Sequence, residues 1–194
     1  DAGTRVYIQR SVHDAFLEEL IAVTRELKMA PGLDRDCYIG PMVSAQQKKV
    51  VAGYIEAGLR EGAKLVHGGA SPDGPGHFIE PAIFAHCTPD MSIVREEIFG
   101  PVLVTSPFDT LEEAVSLAND TPFGLAAAIY SNDLSCVHTL IPQLRAGSVY
   151  VNAHSTIDPS MPIGGLKDSG VGKDLGPEQL DYLMETKAVW ITLP

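Results

Sequence analysis

Residues 96–102, at the middle of this chain, read Glu96-Glu97-Ile98-Phe99-Gly100-Pro101-Val102. Two acidic residues precede two apolar residues, and a Gly-Pro turn then leads into a β-rich run over 102–108. On composition alone this is a solvated acidic loop whose phenylalanine fills part of the core. Adjacent carboxylates can perform acid–base chemistry, but neighbours along one chain often point apart. The residues alone therefore predict a loop that ends in a strand.

Working outward from that stretch, β-rich runs alternate with amphipathic helical patterns, which is typical of an α/β fold. Strands are predicted at 4–9, 64–67, 83–85, 102–108, 125–130 (buried), 148–151 and 186–193. Helices are predicted over 11–27 with Ser11 as the cap, from Ser44 to near Gly62, over 111–118, over 133–144, and from Pro177 onward. Repeated strand–helix–strand connections imply a mostly parallel twisted sheet with flanking helices and right-handed crossovers.

Charge and cysteine content exclude several kinds of partner. The net charge of −11 argues against a nucleic-acid surface and against adsorption to anionic lipid. No apolar run approaches the roughly 20 residues that a membrane helix needs. The three cysteines form no CxxC pair, so we expect neither a metal site nor a disulfide framework. Cys136 is expected in the core, and a cytoplasmic location is favoured.

A long loop over 152–176 is the second feature of interest, because loops longer than about 12–15 residues are usually functional or disordered. Its glycine-rich part lacks GxxxxGK[ST]. Gly170 and Gly172 are followed by Gly176, one position too far for GxGxxG. The glycines are therefore expected to permit turns rather than to bind phosphate. His154 is expected to be a packing or surface residue.

Seven stretches, taken in order, resemble the NAD(P)-dependent aldehyde dehydrogenase family. They are residues 2–6, 40–41 with Gln47, 78–81, 96–102, 119–124, 147–152 and 162–172. The resemblance implies that residues 1–185 form most of a catalytic domain and that a nucleotide-binding domain lies upstream. It also implies that residues 186–194 form an oligomerisation strand, which joins the sheet of a neighbouring subunit in a homodimer or homotetramer.

The same resemblance implies oxidation of an aldehyde to a carboxylic acid with NAD or NADP. A cysteine thiolate attacks the carbonyl to form a thiohemiacetal, hydride leaves to NAD(P)+, and glutamate-activated water hydrolyses the thioester. The run Ala2-Gly3-Thr4-Arg5 matches the residues that follow this cysteine in the family, which places the nucleophile immediately before Asp1. We therefore expect no catalytic residue within the chain, and we expect the chain alone to be inactive.

Cofactor roles follow from the resemblance for three residues. Glu97 is expected to accept hydrogen bonds from the nicotinamide ribose hydroxyls, which suits an acceptor-only carboxylate. Phe99 is expected to pack near the nicotinamide. Gln47 corresponds to a glutamine near the adenosine side of the cofactor, but Ser44-x-x-Gln47 is also a capping box, which alone could explain it.

The expected substrate pocket is lined by Asp1, Ser155, Ile157 and Ile163. Ile163 stands where the family usually has phenylalanine, so this position offers no aromatic side chain to stack with the aldehyde. The alternative function is a non-catalytic scaffold or small-molecule-binding domain built on the same fold.

Overall fold

The computed structural model describes residues 2–194, which divide into two compact units. The larger unit is Gly3–Asp120, and the smaller unit contains Thr121–Pro194 together with Ala2. The assignment of residues 1–185 to one catalytic domain stays a prediction.

A four-stranded sheet forms the centre of the larger unit, with the order β1-β4-β3-β2. Both β1 and β3 run parallel to the central strand β4, whereas β2 runs antiparallel to β3 at one edge. The mostly parallel sheet predicted from the sequence is thereby confirmed. The strands are β1 Arg5–Gln9, β2 Lys64–His67, β3 Ala82–Ala85 and β4 Val102–Phe108.

Four helices flank this sheet, and two of them begin at a side-chain cap, of which Ser44 was predicted from the sequence. Helix α2 follows Ser44, whose Oγ accepts a hydrogen bond from the Gln47 N–H at 3.1 Å, and ends at Gly62 in a left-handed conformation. Helix α4 follows Thr110 in the same way. The helices are α1 Arg10–Arg25, α2 Ala45–Glu61, α3 Ser92–Arg95 and α4 Leu111–Asn119.

Helix α1 departs from its prediction in two respects. The predicted cap at Ser11 is wrong, because β1 ends at Gln9 and the helix begins at the next residue, so Ser11 lies within the first turn. The burial of its residues also differs from their hydrophobicity. Val12 and Phe16 are about half exposed in this chain, whereas the polar residue His13 is buried.

The hydrophobic core of the larger unit lies between the sheet and helices α2 and α3. Phe84 on β3 is its largest fully buried side chain. The Thr105 hydroxyl of β4 donates to the Phe84 carbonyl at 3.0 Å, so this buried polar group is satisfied. The core cluster comprises Val51, Ile55, Ala63, Ile79, Ala82, Phe84, Cys87, Met91, Ile93, Val94, Ile98, Val102 and Val104.

Two glycines of α2 should respond to alanine with opposite signs. A Cβ at exposed Gly53 meets nothing within 4 Å, so Gly53→Ala should stabilise the 194-residue chain by about 0.5–1 kcal/mol. A Cβ at buried Gly58 stands 2.7 Å from Ile93 Cδ1, so Gly58→Ala should destabilise the chain by about 1–3 kcal/mol. Urea unfolding of both variants measures the two changes. Equal shifts of the midpoint would contradict this packing of α2.

The smaller unit consists of short elements. Strand β6 pairs parallel with β7, and β5 pairs antiparallel with β8. The buried strand predicted at 125–130 is shorter than expected, and of its residues only Ile129 is buried. The elements are β5 Phe123–Gly124, β6 Ala126–Ile129, α5 Leu134–Leu140, a 3-10 helix Ile141–Gln143, β7 Ser148–Val151, β8 Leu166–Lys167 and α6 Gln179–Leu183.

The C-terminal residues 184–194 are assigned to no helix or strand in the described chain. The Trp190 side chain is 91% exposed, and Val189 and Ile191 beside it are also exposed. A strand requires a hydrogen-bonding neighbour, so the strand predicted at 186–193 stays a prediction for the assembled protein. Among the helices described over residues 2–194, none combines the length and apolar character needed to cross a bilayer.

The cysteines are distributed differently from the expectation. Cys136, expected in the core, is half-buried, whereas Cys87 belongs to the core cluster. Burial raises the pKa of the Cys87 thiol to about 11, partly opposed by a hydrogen bond from the backbone of Thr105. The Cys37 thiol donates to the Ala30 carbonyl at 3.1 Å.

Candidate functional site

The stretch 96–100 lies against one face of helix α2. The supporting side chains are Gln47, Val51 and Tyr54, whose spacing of i, i+4 and i+7 places them on the same side of the helix. Each contacts a different part of the stretch. Its conformation is therefore determined by a helix about 50 residues earlier in the chain.

Gln47 holds the stretch through its side-chain amide. The Nε2 group donates to the carbonyl oxygens of Ile98 and Phe99, both at 3.1 Å. Its backbone N–H donates to Ser44, so the capping role and the loop contact use different atoms of one residue. The expected proximity of Gln47 to the adenosine side of a cofactor stays a prediction.

Gly100 allows the stretch to approach α2 closely. A Cβ at this position would stand 2.5 Å from Cγ2 and 2.9 Å from Cγ1 of Val51, a residue with no exposed surface. Any larger residue would push the loop away from the helix. The glycine in the sequence motif is thus explained by packing.

Tyr54 contacts the first acid of the stretch. Its hydroxyl donates to Glu96 Oε2 at 2.6 Å. This hydrogen bond, with a smaller effect of burial, raises the pKa of Tyr54. The structure therefore distinguishes the two adjacent acids, because Glu96 is bound to the tyrosine hydroxyl.

Glu97 and Phe99 face outward from this support. Glu97 is exposed, and its carboxylate makes no hydrogen bond within residues 2–194. Phe99 has a φ of +51° and a side chain that is 79% exposed. A left-handed conformation at a bulky residue costs about 1–3 kcal/mol and is common in ligand-binding segments. The loop thus presents a carboxylate that can accept two donors and an apolar ring that can pack on a planar group.

In the smaller unit, the long loop begins at Asn152, whose side chain bonds the backbone of Ser131, which lies after β6. The Asn152 Oδ1 atom accepts from the Ser131 N–H at 2.9 Å, and Asn152 Nδ2 donates to the Ser131 carbonyl at 2.9 Å. These two hydrogen bonds continue the contact between the two chain segments beyond the last residues of β6 and β7. Asn152 has a φ of +51°, which turns the chain out of the strand and into the loop.

The glycine-rich part of the loop is fixed by backbone pairing. Ile163 and Asp174 exchange two N–H···O hydrogen bonds of 2.8 Å each. Lys173 Nζ donates to the Gly164 carbonyl at 2.9 Å. The lysine therefore bonds a carbonyl of its own loop, in agreement with the expectation that this segment forms turns.

Of the residues predicted to line the substrate pocket, three lie in this loop. Ser155 is exposed with a φ of +53°, Ile157 is 60% exposed, and Ile163 is half-buried. Asp1 lies outside the described residues. The predicted cofactor residues belong to the larger unit and these loop residues to the smaller one.

Two further expectations concern histidine and metals. His154 packs edge-on against Tyr150, with 5.7 Å between ring centroids, which is the packing role expected for it. Over residues 2–194, no group of three or more His, Cys, Asp or Glu side chains is arranged to hold a metal ion.

Comparison with known proteins tests the resemblance. The sequence profile of the Aldehyde dehydrogenase family matches residues 2–189. The chain belongs to the aldehyde dehydrogenase family. A betaine aldehyde dehydrogenase from Bacillus subtilis is 40% identical over 193 residues, which cover 97% of this chain and 39% of that protein. This aldehyde dehydrogenase chain thus spans about 39% of the length of such relatives.

Solved aldehyde dehydrogenases have the same fold. The NAD+ complex of the enzyme from Bacillus cereus matches 100% of this chain and 39% of its own, with a TM-score of 0.95 and 37% identity. The betaine aldehyde dehydrogenase of Staphylococcus aureus in complex with NAD+ matches 93% of this chain and 37% of its own, with a TM-score of 0.90 and 36% identity. The α/β fold class is thereby confirmed for this aldehyde dehydrogenase chain.

Sequence reasoning missed one supporting residue in each unit. Tyr54 was given no functional role, although a tyrosine on a helix face carries a polar hydroxyl that can bind a neighbouring loop. Asn152 was predicted only as the start of a loop. The signal that could have indicated its turn is that asparagine tolerates the left-handed backbone conformation better than most residues.

Proposed function

We propose that the whole protein containing this chain is an aldehyde dehydrogenase that oxidises an aldehyde to a carboxylic acid with NAD or NADP. The observation that supports this most directly is the loop 96–100, which presents Glu97 and Phe99 from a fixed support on α2. The NAD+ complexes of relatives with the same fold support the choice of cofactor.

The two exposed residues fit a nicotinamide nucleotide in complementary ways. The Glu97 carboxylate can accept both hydroxyl protons of a ribose diol, since an ionised carboxylate only accepts hydrogen bonds. The Phe99 ring offers an apolar face beside the nicotinamide. The bound cofactor supplies the acceptor for the hydride of the aldehyde. The role of the chain is to orient the ribose, and with it the face of the nicotinamide.

None of the three cysteines of this chain is proposed as the nucleophile. Burial keeps the Cys87 thiol protonated at neutral pH, and the Cys37 thiol is bonded to the Ala30 carbonyl. We assign the nucleophile, the general base and the nucleotide-binding domain to the rest of the protein, and we propose that residues 1–194 alone are inactive. The free thiols of this chain support the proposed cytoplasmic location.

For the substrate, we propose that Asp1, Ser155, Ile157 and Ile163 contribute to the aldehyde pocket. The exposed aliphatic surface of Ile157 and the half-buried Ile163 favour an apolar part of the aldehyde. Assembly into a homodimer or homotetramer through residues 186–194 is part of the same proposal. The exposed apolar side chains at 189–193 support it.

The experiment that tests this function uses the whole protein with Glu97→Gln. The variant should weaken cofactor binding and raise the activation free energy of hydride transfer by about 1–3 kcal/mol, because a neutral amide with one acceptor oxygen replaces a charged carboxylate with two. NAD(P)H formation with a panel of aldehydes and calorimetric titration of NAD(P)+ measure both effects. Glu18→Gln, an exposed acid on α1, serves as the matched control.

The outcomes separate the enzyme from the non-catalytic alternative. A wild-type protein that binds no NAD(P)+ and oxidises no aldehyde would favour the scaffold or small-molecule-binding domain. If the wild type is active and Glu97→Gln leaves cofactor affinity and turnover unchanged, the assignment as an enzyme stands. In that case Glu97 is not a cofactor-binding residue.

A further inference from the structure

We infer that Tyr54 is a positioning residue, which binds Glu96 and thereby leaves Glu97 as the carboxylate of the loop 96–100 that is open to the cofactor. This inference rests on the proposed function. It goes beyond that function by assigning a task to a side chain on α2 that does not itself contact the ribose.

The first argument is the difference between the two acids. Both are exposed and adjacent, so either could accept hydrogen bonds from a diol. The Tyr54 hydroxyl donates to Glu96 at 2.6 Å, the short distance of a hydrogen bond to a charged acceptor. Glu97 has no such partner among the described residues. The hydroxyl therefore decides which carboxylate is available.

The second argument is that Tyr54 completes a three-point attachment. Gln47 holds the carbonyls of Ile98 and Phe99, and Val51 lies directly beneath Gly100. These two contacts fix the C-terminal side of Glu97. On its N-terminal side, the Glu96 N–H donates to the Ser92 carbonyl at 3.0 Å, and the Tyr54 contact fixes the Glu96 side chain.

The third argument concerns the consequence of losing the hydroxyl. A released Glu96 side chain becomes a second mobile carboxylate beside Glu97. It can repel Glu97 or compete for the ribose hydroxyls. Holding a functional group in place with supporting hydrogen bonds reduces the ordering that ligand binding requires. Tyr54 thus affects cofactor binding indirectly, because it keeps Glu96 away and leaves Glu97 as the acid that meets the ribose.

The decisive variant is Tyr54→Phe in the whole protein, because it removes the hydroxyl and retains the ring. The dissociation constant for NAD+ or NADP+, measured by calorimetric titration, should increase about 2- to 10-fold. Amide hydrogen exchange over residues 96–100 without cofactor should become faster. Tyr38→Phe is the matched control, since Tyr38 is exposed and its hydroxyl makes no hydrogen bond among the described residues, and it should leave both measurements unchanged.

A double-mutant cycle distinguishes positioning from general stabilisation. If Tyr54 acts through Glu97, Tyr54→Phe should weaken cofactor binding little further when Glu97→Gln is already present. Additive losses of cofactor affinity in the double variant would overturn the inference. So would a Tyr54→Phe variant whose cofactor affinity and amide exchange equal those of the wild type. If the wild type binds no NAD(P)+, the proposed function fails and the role of Tyr54 fails with it. Wild-type binding without an effect of Tyr54→Phe overturns the role of Tyr54 alone.

Discussion

Replacement of Phe84 by alanine should lower the free energy of unfolding by about 3–5 kcal/mol, the range for deleting a large buried aromatic side chain. Phe84 has no exposed surface and stands on β3 within the core cluster. Its ring also lies close to helix α2, because Cε1 is 3.3 Å from the position of a Cβ at Gly58. Truncation therefore opens a cavity where the sheet and the helix meet.

Urea unfolding of the 194-residue chain measures this loss. Phe84→Leu is the matched control, since it keeps most of the apolar volume and should cost clearly less than alanine. A loss below about 1 kcal/mol for the alanine variant would mean that Phe84 is not at the centre of the core.

We expect the whole protein to be a homodimer or homotetramer, and deletion of residues 186–194 should yield monomers or insoluble material. In the single chain, the apolar side chains of Val189, Trp190 and Ile191 are all exposed. An uncovered apolar segment able to form a strand either pairs with another chain or aggregates. Pairing with a second subunit would satisfy the backbone of the segment and bury part of its apolar surface.

Light scattering measures the assembly, and removal of Pro194 alone is the control that should leave it intact. The prediction fails if the intact protein is monomeric at micromolar concentration. In that case iodide would also quench the fluorescence of Trp190, the single tryptophan of this chain, without hindrance.

The elements that the sequence predicted well are those with local signals at both ends. Helix α2 has a side-chain cap at Ser44 and a glycine stop at Gly62, and the structure places both as expected. The failures occurred where a neighbouring element overrode the local signal. Ser11 resembles a cap, but β1 continues to Gln9 and the helix follows at once.

The candidate site was located by resemblance, but the arrangement of its side chains depends on contacts between residues distant in sequence. The residues of 96–102 identify the loop, yet they do not distinguish between Glu96 and Glu97. That distinction comes from Tyr54, which is 42 residues away in the sequence. Helical periodicity shows which α2 residues share a face, but not which loop that face will meet.

The anchoring of the long loop has a consequence for how this protein can change over evolution. Asn152 closes one end through Ser131, and the pairing of Ile163 with Asp174 closes the other. The intervening residues 153–162 can therefore be exchanged without loss of either attachment. This segment contains Ser155 and Ile157, which we propose as residues of the aldehyde pocket. Under that proposal, a new aldehyde preference can arise by mutation within ten positions while both attachments are inherited unchanged.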